Sequence, residues 1–291
     1  MLTIRLKGIE KFREKIPEFS GKKIIFFGFY VLFIIFSSFT LLILFDLSPL
    51  LIGDHLGSFG PWFPVIGVGS FEIIGLILVY QMWFWRKRLK VKYGQLAYQK
   101  VFLAGFAGIL ILIVLSFHSF VPFYTVNSPF WSTGVYSLFT TAVTSYFPPI
   151  SLILNIIRLS VGVIISILAI LMMFRSLVTF GFDYMTVIYL YFPEESSLQE
   201  SRIYSVIRHP MYSGLILLSA GGFILHFNLY SAIFFIIYYF GFLIHIFLVE
   251  EKELIERFGA SFIEYRRNVP AVFPYPTKWE NYLRFLLGKK D

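Results

Sequence analysis

The sequence contains no cysteine, which excludes disulfides, thiol nucleophiles and Cys-ligated zinc or iron–sulfur centres. Histidine is also scarce, five in 291 residues and widely spread, and no HExxH-like spacing gathers ligands, so no metal site is expected. The phosphate-cradling GxGxxG and Walker loops and the GxSxG nucleophile turn are missing as well. Charged residues make up only 14% of the chain, against ~25% in soluble domains. Apolar residues take their place: 57% hydrophobic, 20% aromatic, mean hydropathy +0.75. A water-soluble fold of this composition would expose large apolar patches. The chain therefore reads as a polytopic membrane protein.

A spanning helix needs about 20 apolar residues. Residues 24–45, 64–85, 101–121, 150–174 and 229–249 meet that length, and a shorter run, 211–227, sits directly against the last. Gly221-Gly222 and Asn228 mark bends or a tight turn, so 211–249 is predicted to be a helical hairpin. Backbone groups in lipid must be bonded within the segment, which makes these runs helices rather than open strands. The expected fold is all-α, with about six transmembrane helices, the C-terminal hairpin and a short cytosolic helical tail. The segment 122–149, rich in Ser, Thr and Pro, reads as an interfacial or re-entrant piece.

Lys and Arg are absent from 46–63, from 122–149 and around Asn228; they cluster at 5–23, 86–100, 202–208 and 252–290. By the positive-inside rule both termini and the basic loops lie in the cytosol. The formal charge of +8 then faces anionic lipid, and no basic soluble module is left to bind nucleic acid. The basic start is followed by an apolar run too long for a signal-peptide core, so a first transmembrane helix with an amphipathic leader is expected. The tail, 279–287, is amphipathic and basic and suits a membrane surface. Glu72 and Arg158 each fall ~12 Å inside their spans at 1.5 Å per residue, and are expected to pair. His118 and His226 read as structural, whereas His245 could line a site.

One stretch stands out, Arg208-His209-Pro210-Met211-Tyr212-Ser213-Gly214, with Glu250-Glu251 some 35 residues later at the same side of the membrane. Pro210 suits a helix start. Free amides there, with a guanidinium, can receive a carboxylate or phosphate; two adjacent acids can receive cations. Each half has a plain alternative, an interface anchor or a solvated face. Brought together by a hairpin, they match a ligand carrying both signs of charge.

This segment, with Phe258-Gly259, Tyr265, Val269-Pro270 and Phe273-Pro274, resembles the isoprenylcysteine carboxyl methyltransferase family over about residues 150–274. The resemblance implies a membrane enzyme that moves a methyl group from S-adenosylmethionine to the carboxylate of a lipidated substrate, a small molecule or peptide that enters from the bilayer. It implies a cytosolic cofactor pocket lined by Arg208, His209, Pro210, Tyr212, Gly214, Glu250, Glu251 and Tyr265, with Arg208, Glu251 and Arg267 as the catalytic set. Residues 101–291 would form the transferase unit and 1–100 an accessory part. Relatives tend to carry an arginine about four residues before the acid pair, placed to hold the substrate carboxylate. Here that place falls near His245-Ile246-Phe247, and Arg175, Arg266 or Arg267 would have to substitute. A phospholipid amine acceptor stays open. So does an NADPH-dependent reductase of the sterol-reductase type, although the Glu pair, with Leu215 after the Gly and Met211 before the Tyr, favours methyl transfer. A scaffold or transporter ranks third, since no repeat is evident.

Overall fold

A computed structural model describes residues 7–17, 23–121 and 141–288. Among these residues the chain is helical and contains no strand. Five stretches are long and apolar enough to cross a membrane: Lys23–Pro49, Phe59–Phe84, Arg86–His118, Pro148–Phe180 and Leu229–Phe258. Pro210–His226 is a sixth, shorter apolar helix. The expected all-α architecture of about six crossings holds. The reason is visible on the surface: Phe26, Phe33 and Phe36 are 75%, 68% and 76% exposed and Leu152 is 72% exposed, which only a lipid environment makes favourable. Residues 122–140, most of the segment 122–149 read as interfacial or re-entrant, lie outside the described residues.

In chain order the helices are α1 (Ile9–Lys15), α2 (Lys23–Leu56), α3 (Phe63–Phe84), α4 (Arg86–Tyr93), α5 (Ala97–His118) and α6 (Ser151–Phe180). Two single turns follow, α7 (Phe182–Met185) and α8 (Ile188–Tyr191), then α9 (Pro210–His226) and α10 (Leu229–His245). A π-helical turn at Ile246–Glu250 leads into α11 (Glu251–Phe258), α12 (Ala260–Asn268) and α13 (Trp279–Leu287). One apolar cluster runs through the membrane part, from Leu42 and Phe71 through Ile111 and Leu115 to Ile216, Tyr230 and Phe242.

The hairpin of α9 and α10 forms as expected, with its turn beside Asn228 and not at the glycine pair. Gly221 and Gly222 lie inside α9, where Ser166 of α6 and Ser119 after α5 leave no room for a Cβ. Gly214 meets Met173 and the Ala169 carbonyl of α6 in the same way. These glycines let helix backbones approach closely, the usual means of packing in lipid. Phe227, in the left-handed region at φ 49°, makes the turn. Asn228 and Ser231 then cap α10 reciprocally, an arrangement that satisfies two otherwise unpaired amides.

The expected Glu72–Arg158 ion pair does not form. Arg158 donates to the Leu225 carbonyl and to Asn155, its own side of the bundle. Glu72 is buried against Gly241 of α10, with neither carboxyl oxygen hydrogen-bonded. A guanidinium near a helix end finds exposed carbonyls at no cost in reach, so it need not cross the bundle. Among the spans His118 Nε2 lies 2.6 Å from Asp46 Oδ2, a hydrogen-bonded contact between two almost fully enclosed side chains. It fastens α2 to α5. Replacing His118 by Ala leaves the Asp46 carboxylate without its partner, and should lower unfolding stability by about 3–5 kcal/mol. Thermal unfolding in detergent reads this directly, and an unchanged midpoint would show that the His118–Asp46 contact does not hold α2 in place.

The leader and the connector fold together. Phe12 and Ile16 of α1 bury against Tyr98, Phe102, Ile188 and Tyr191, while Lys11 and Lys15 reach Glu195 at 2.8 and 2.9 Å. In the connector between α6 and α9, Ile188–Phe192 is buried. Helix α13 buries Tyr282 and Leu286 beside Ile203 and Ile207. Trp279, Leu283 and Leu287 remain exposed one turn apart, a spacing suited to an interfacial helix.

Candidate active site

The site is built where the start of α9 meets the π turn. Arg208 and His209 precede Pro210, and their backbone amides donate to the Pro270 and Ala271 carbonyls at 2.9 Å each. That ties the returning C-terminal segment to the head of α9. Pro210 has no amide to leave unpaired. The amide of Ser213 returns to the His209 carbonyl, so within α9 only Met211 and Tyr212 present amides free of helical bonds. The amides expected at this helix start are therefore two, and both residues line a cavity.

The side chain of Arg208 turns inward. Its Nε and Nη2 donate to Glu251 Oε1 at 3.0 and 2.6 Å, and its Nη1 donates to the carbonyls of Arg266 and Val269. Glu251 is fully buried; its second oxygen has Arg266 Nε at 3.2 Å, an ion pair without hydrogen-bond alignment. Arg208–Glu251 is thus an internal clamp joining α9, α11 and the segment after α12. His209 bridges the two acids, with Nε2 3.2 Å from Glu251 and Nδ1 3.4 Å from Glu250. Glu250 differs from its neighbour: it lines the cavity, and its Oε2 is buried without a hydrogen-bond partner.

The π turn decides this division. In such a turn residues five apart bond where residues four apart would in an α-helix. His245 and Glu250 are five apart, so the extra residue rotates the acids relative to α10 and brings Glu250 to the cavity side. The apolar run 246–249 carries no local signal of this, and the sequence reading expects a plain helix exit.

The cavity runs from an apolar end at Val79, Ile109, Leu112 and Phe242 to a polar end at Gln199, His209, Glu250 and Arg257. Arg208, His209, Pro210, Tyr212, Glu250 and Tyr265 all border it. Glu251 stands behind them, Gly214 faces α6, and Arg267 is exposed. Tyr265 donates to the Tyr204 carbonyl at 2.6 Å and closes one wall. Glu253 accepts from Arg257, four residues on, and also from Arg86 at 2.9 Å. Arg86 thereby links the start of α4 to α11. Among the described residues no cluster of His, Asp and Glu is arranged to hold a metal.

Burial alone pulls the His209 pKa down, but the carboxylates of Glu250 and Glu251 outweigh it and the value stands above the ordinary 6.5. The sign follows from linkage. Stabilisation from the raised value is complete below the unfolded pKa, and is lost as pH rises through the folded one. Unfolding midpoints should therefore fall as pH is raised from about 6.5, and His209→Gln should flatten that slope. Parallel profiles for the two proteins would remove the bridging role of the ring.

A helical bundle with spans long and apolar enough for a membrane, and a cavity lined both by apolar side chains and by buried acids and an imidazole, defines a class: a multi-pass membrane protein with an internal cavity of mixed character. Residues 162–256 match the isoprenylcysteine carboxyl methyltransferase (ICMT) family, and the resemblance read from the sequence holds over that stretch. Over 100 residues the chain is 30% identical to protein-S-isoprenylcysteine O-methyltransferase B of Arabidopsis thaliana, covering 34% of this chain and 51% of that protein. The chain thus spans about half the length of the curated relative it matches. No solved structure matches it.

Proposed function

We propose that the protein is a membrane methyltransferase that uses S-adenosylmethionine and acts on the carboxylate of a prenylcysteine-type lipid. One observation carries the donor assignment: the Glu250 carboxylate borders the cavity with one oxygen buried and unpartnered. His209 stands 3.4 Å from its other oxygen, and the open oxygen leaves the carboxylate able to accept from a cationic ligand as well. The donor offers two, a sulfonium and an ammonium. The amides of Met211 and Tyr212 at the head of α9 suit its carboxylate. Arg208 and Glu251 act behind this surface by fixing His209 and the turn that presents Glu250.

When bound, the donor supplies an electrophilic methyl on sulfur, which a carboxylate oxygen takes up as sulfur keeps the bonding pair, so no proton has to move. The protein's share is then position and exclusion of water. Val79, Ile109 and Leu112 offer an apolar channel for the lipid tail. The resemblance to a protein named for isoprenylcysteine O-methyl transfer supports the carboxylate acceptor over a lipid amine or a hydride acceptor. With the basic loops in the cytosol, the polar end of the cavity opens there and both termini are cytosolic.

The test is a labelled-methyl assay on the purified protein in lipid, offering a prenylcysteine carboxylate, a phospholipid amine and NADPH in separate arms. Label in the prenylcysteine ester is the expected result. Label in the amine, or binding of NADPH with no methyl transfer in any arm, overturns the assignment.

A further inference from the structure

Two ring nitrogens in the cavity wall are buried and have no hydrogen-bond partner: Nε1 of Trp83 and Nε2 of His245. The two rings meet edge to face, with centroids 5.3 Å apart at 88°, and both residues border the cavity. Trp83 comes from the last turn of α3 and His245 from the last turn of α10. Their place is the junction between the apolar channel and the polar end. Val79 and Leu112 line the same cavity, and the Tyr212 ring has its centroid 6.0 Å from that of His245 and 5.9 Å from that of His209. Buried polar groups in native proteins nearly always have partners, so two adjacent orphans at a cavity wall mark where a ligand's polar group belongs.

We infer that Trp83 and His245 form the acceptor cradle, two neutral N–H donors that hold the substrate carboxylate beside Tyr212. This deepens the methyltransferase reading and rests on it. The chemistry favours a carboxylate over other acceptors. An indole N–H can only donate, so the ligand atom facing it must accept, which a carboxylate oxygen does and an ammonium cannot. Neutral donors orient an anionic nucleophile while neutralising less of its charge than a guanidinium would. No arginine stands between Gly241 and Glu251, and within α10 the imidazole of His245 is the nitrogen-bearing side chain that borders the cavity. Trp83 belongs to the first hundred residues, outside the stretch that matches the family, so acceptor recognition here draws on a helix of the chain's other half.

The experiment measures donor and acceptor separately. Trp83→Phe keeps the ring and removes the N–H; His245→Leu removes the imidazole and His245→Gln keeps a donor. In the labelled-methyl assay, Trp83→Phe and His245→Leu should each raise KM for the prenylcysteine carboxylate about ten- to hundredfold, the loss of one hydrogen bond to a charged group. His245→Gln should restore most of it. Binding of S-adenosylhomocysteine, followed by calorimetry, should be unchanged in all three. An acceptor KM unchanged in Trp83→Phe and His245→Leu overturns the cradle, and so does weakened S-adenosylhomocysteine binding, which would place the nitrogens at the donor. Should the wild-type protein itself not bind S-adenosylhomocysteine, it is the methyltransferase reading that fails.

Discussion

Arg208→Ala should cost the protein about 3–5 kcal/mol of stability, the usual penalty for removing one member of a buried ion pair. The guanidinium donates to Glu251 twice and to two carbonyls of the returning segment. Deleting it leaves a fully enclosed carboxylate with only His209 and Arg266 beside it, and removes the side-chain bonds to the Arg266 and Val269 carbonyls while the backbone bonds to Pro270 and Ala271 remain. The pair is therefore first an element of the fold, and loss of donor binding follows from that. The discriminating comparison is the double variant Arg208→Met, Glu251→Gln, which removes both charges at once. It should be more stable than Arg208→Ala, because no uncompensated charge remains. Thermal unfolding of the three proteins in the same detergent decides the matter: equal losses in the single and double variants would mean that the guanidinium acts through its carbonyl bonds and not through Glu251.

The second large effect concerns the other acid. Glu250→Gln should lower stability only modestly, through its contact with His209, and weaken S-adenosylhomocysteine or donor binding by roughly 30- to 1,000-fold. That range corresponds to the ~2–4 kcal/mol typical of neutralising one partner of a buried charge pair. The split arises because Glu250 borders the cavity with an open oxygen, while Glu251 has its charge engaged within the protein. Glu251→Gln should show the reverse ordering, a large drop in stability for any given weakening of binding. Isothermal titration beside thermal unfolding separates the two. Were both variants to lose stability equally and keep ligand affinity, neither acid would be a ligand group.

The crossings, the hairpin and the gathering of Arg208, His209 and Glu250-Glu251 at one place were legible because they depend on long apolar runs and on spacing, which a sequence states outright. The assignment within the pair was not. Two adjacent glutamates are alike on paper, and a single π turn, with no compositional mark, determines which one meets the cavity. Arg208 likewise reads as a ligand group until the carbonyls after α12 come within its reach, a contact across more than fifty residues. The Glu72–Arg158 pairing failed for a related reason. Depth in the bilayer can be counted along a helix, but the rotation of one helix about another is set by packing, here by the glycines of α9 against α6. Trp83 carried no signal at all, since a tryptophan near the end of a membrane helix is ordinary as an interfacial anchor.

The short leader has a reach out of proportion to its length. By burying Phe12 and Ile16 under Ile188 and Tyr191, and by gripping Glu195 through two lysines, it braces from behind the stretch whose Val187, Tyr189 and Leu190 line the substrate cavity. A protein trimmed back to its first membrane helix would keep every residue of the candidate site and still present a slacker wall to whatever the bilayer delivers.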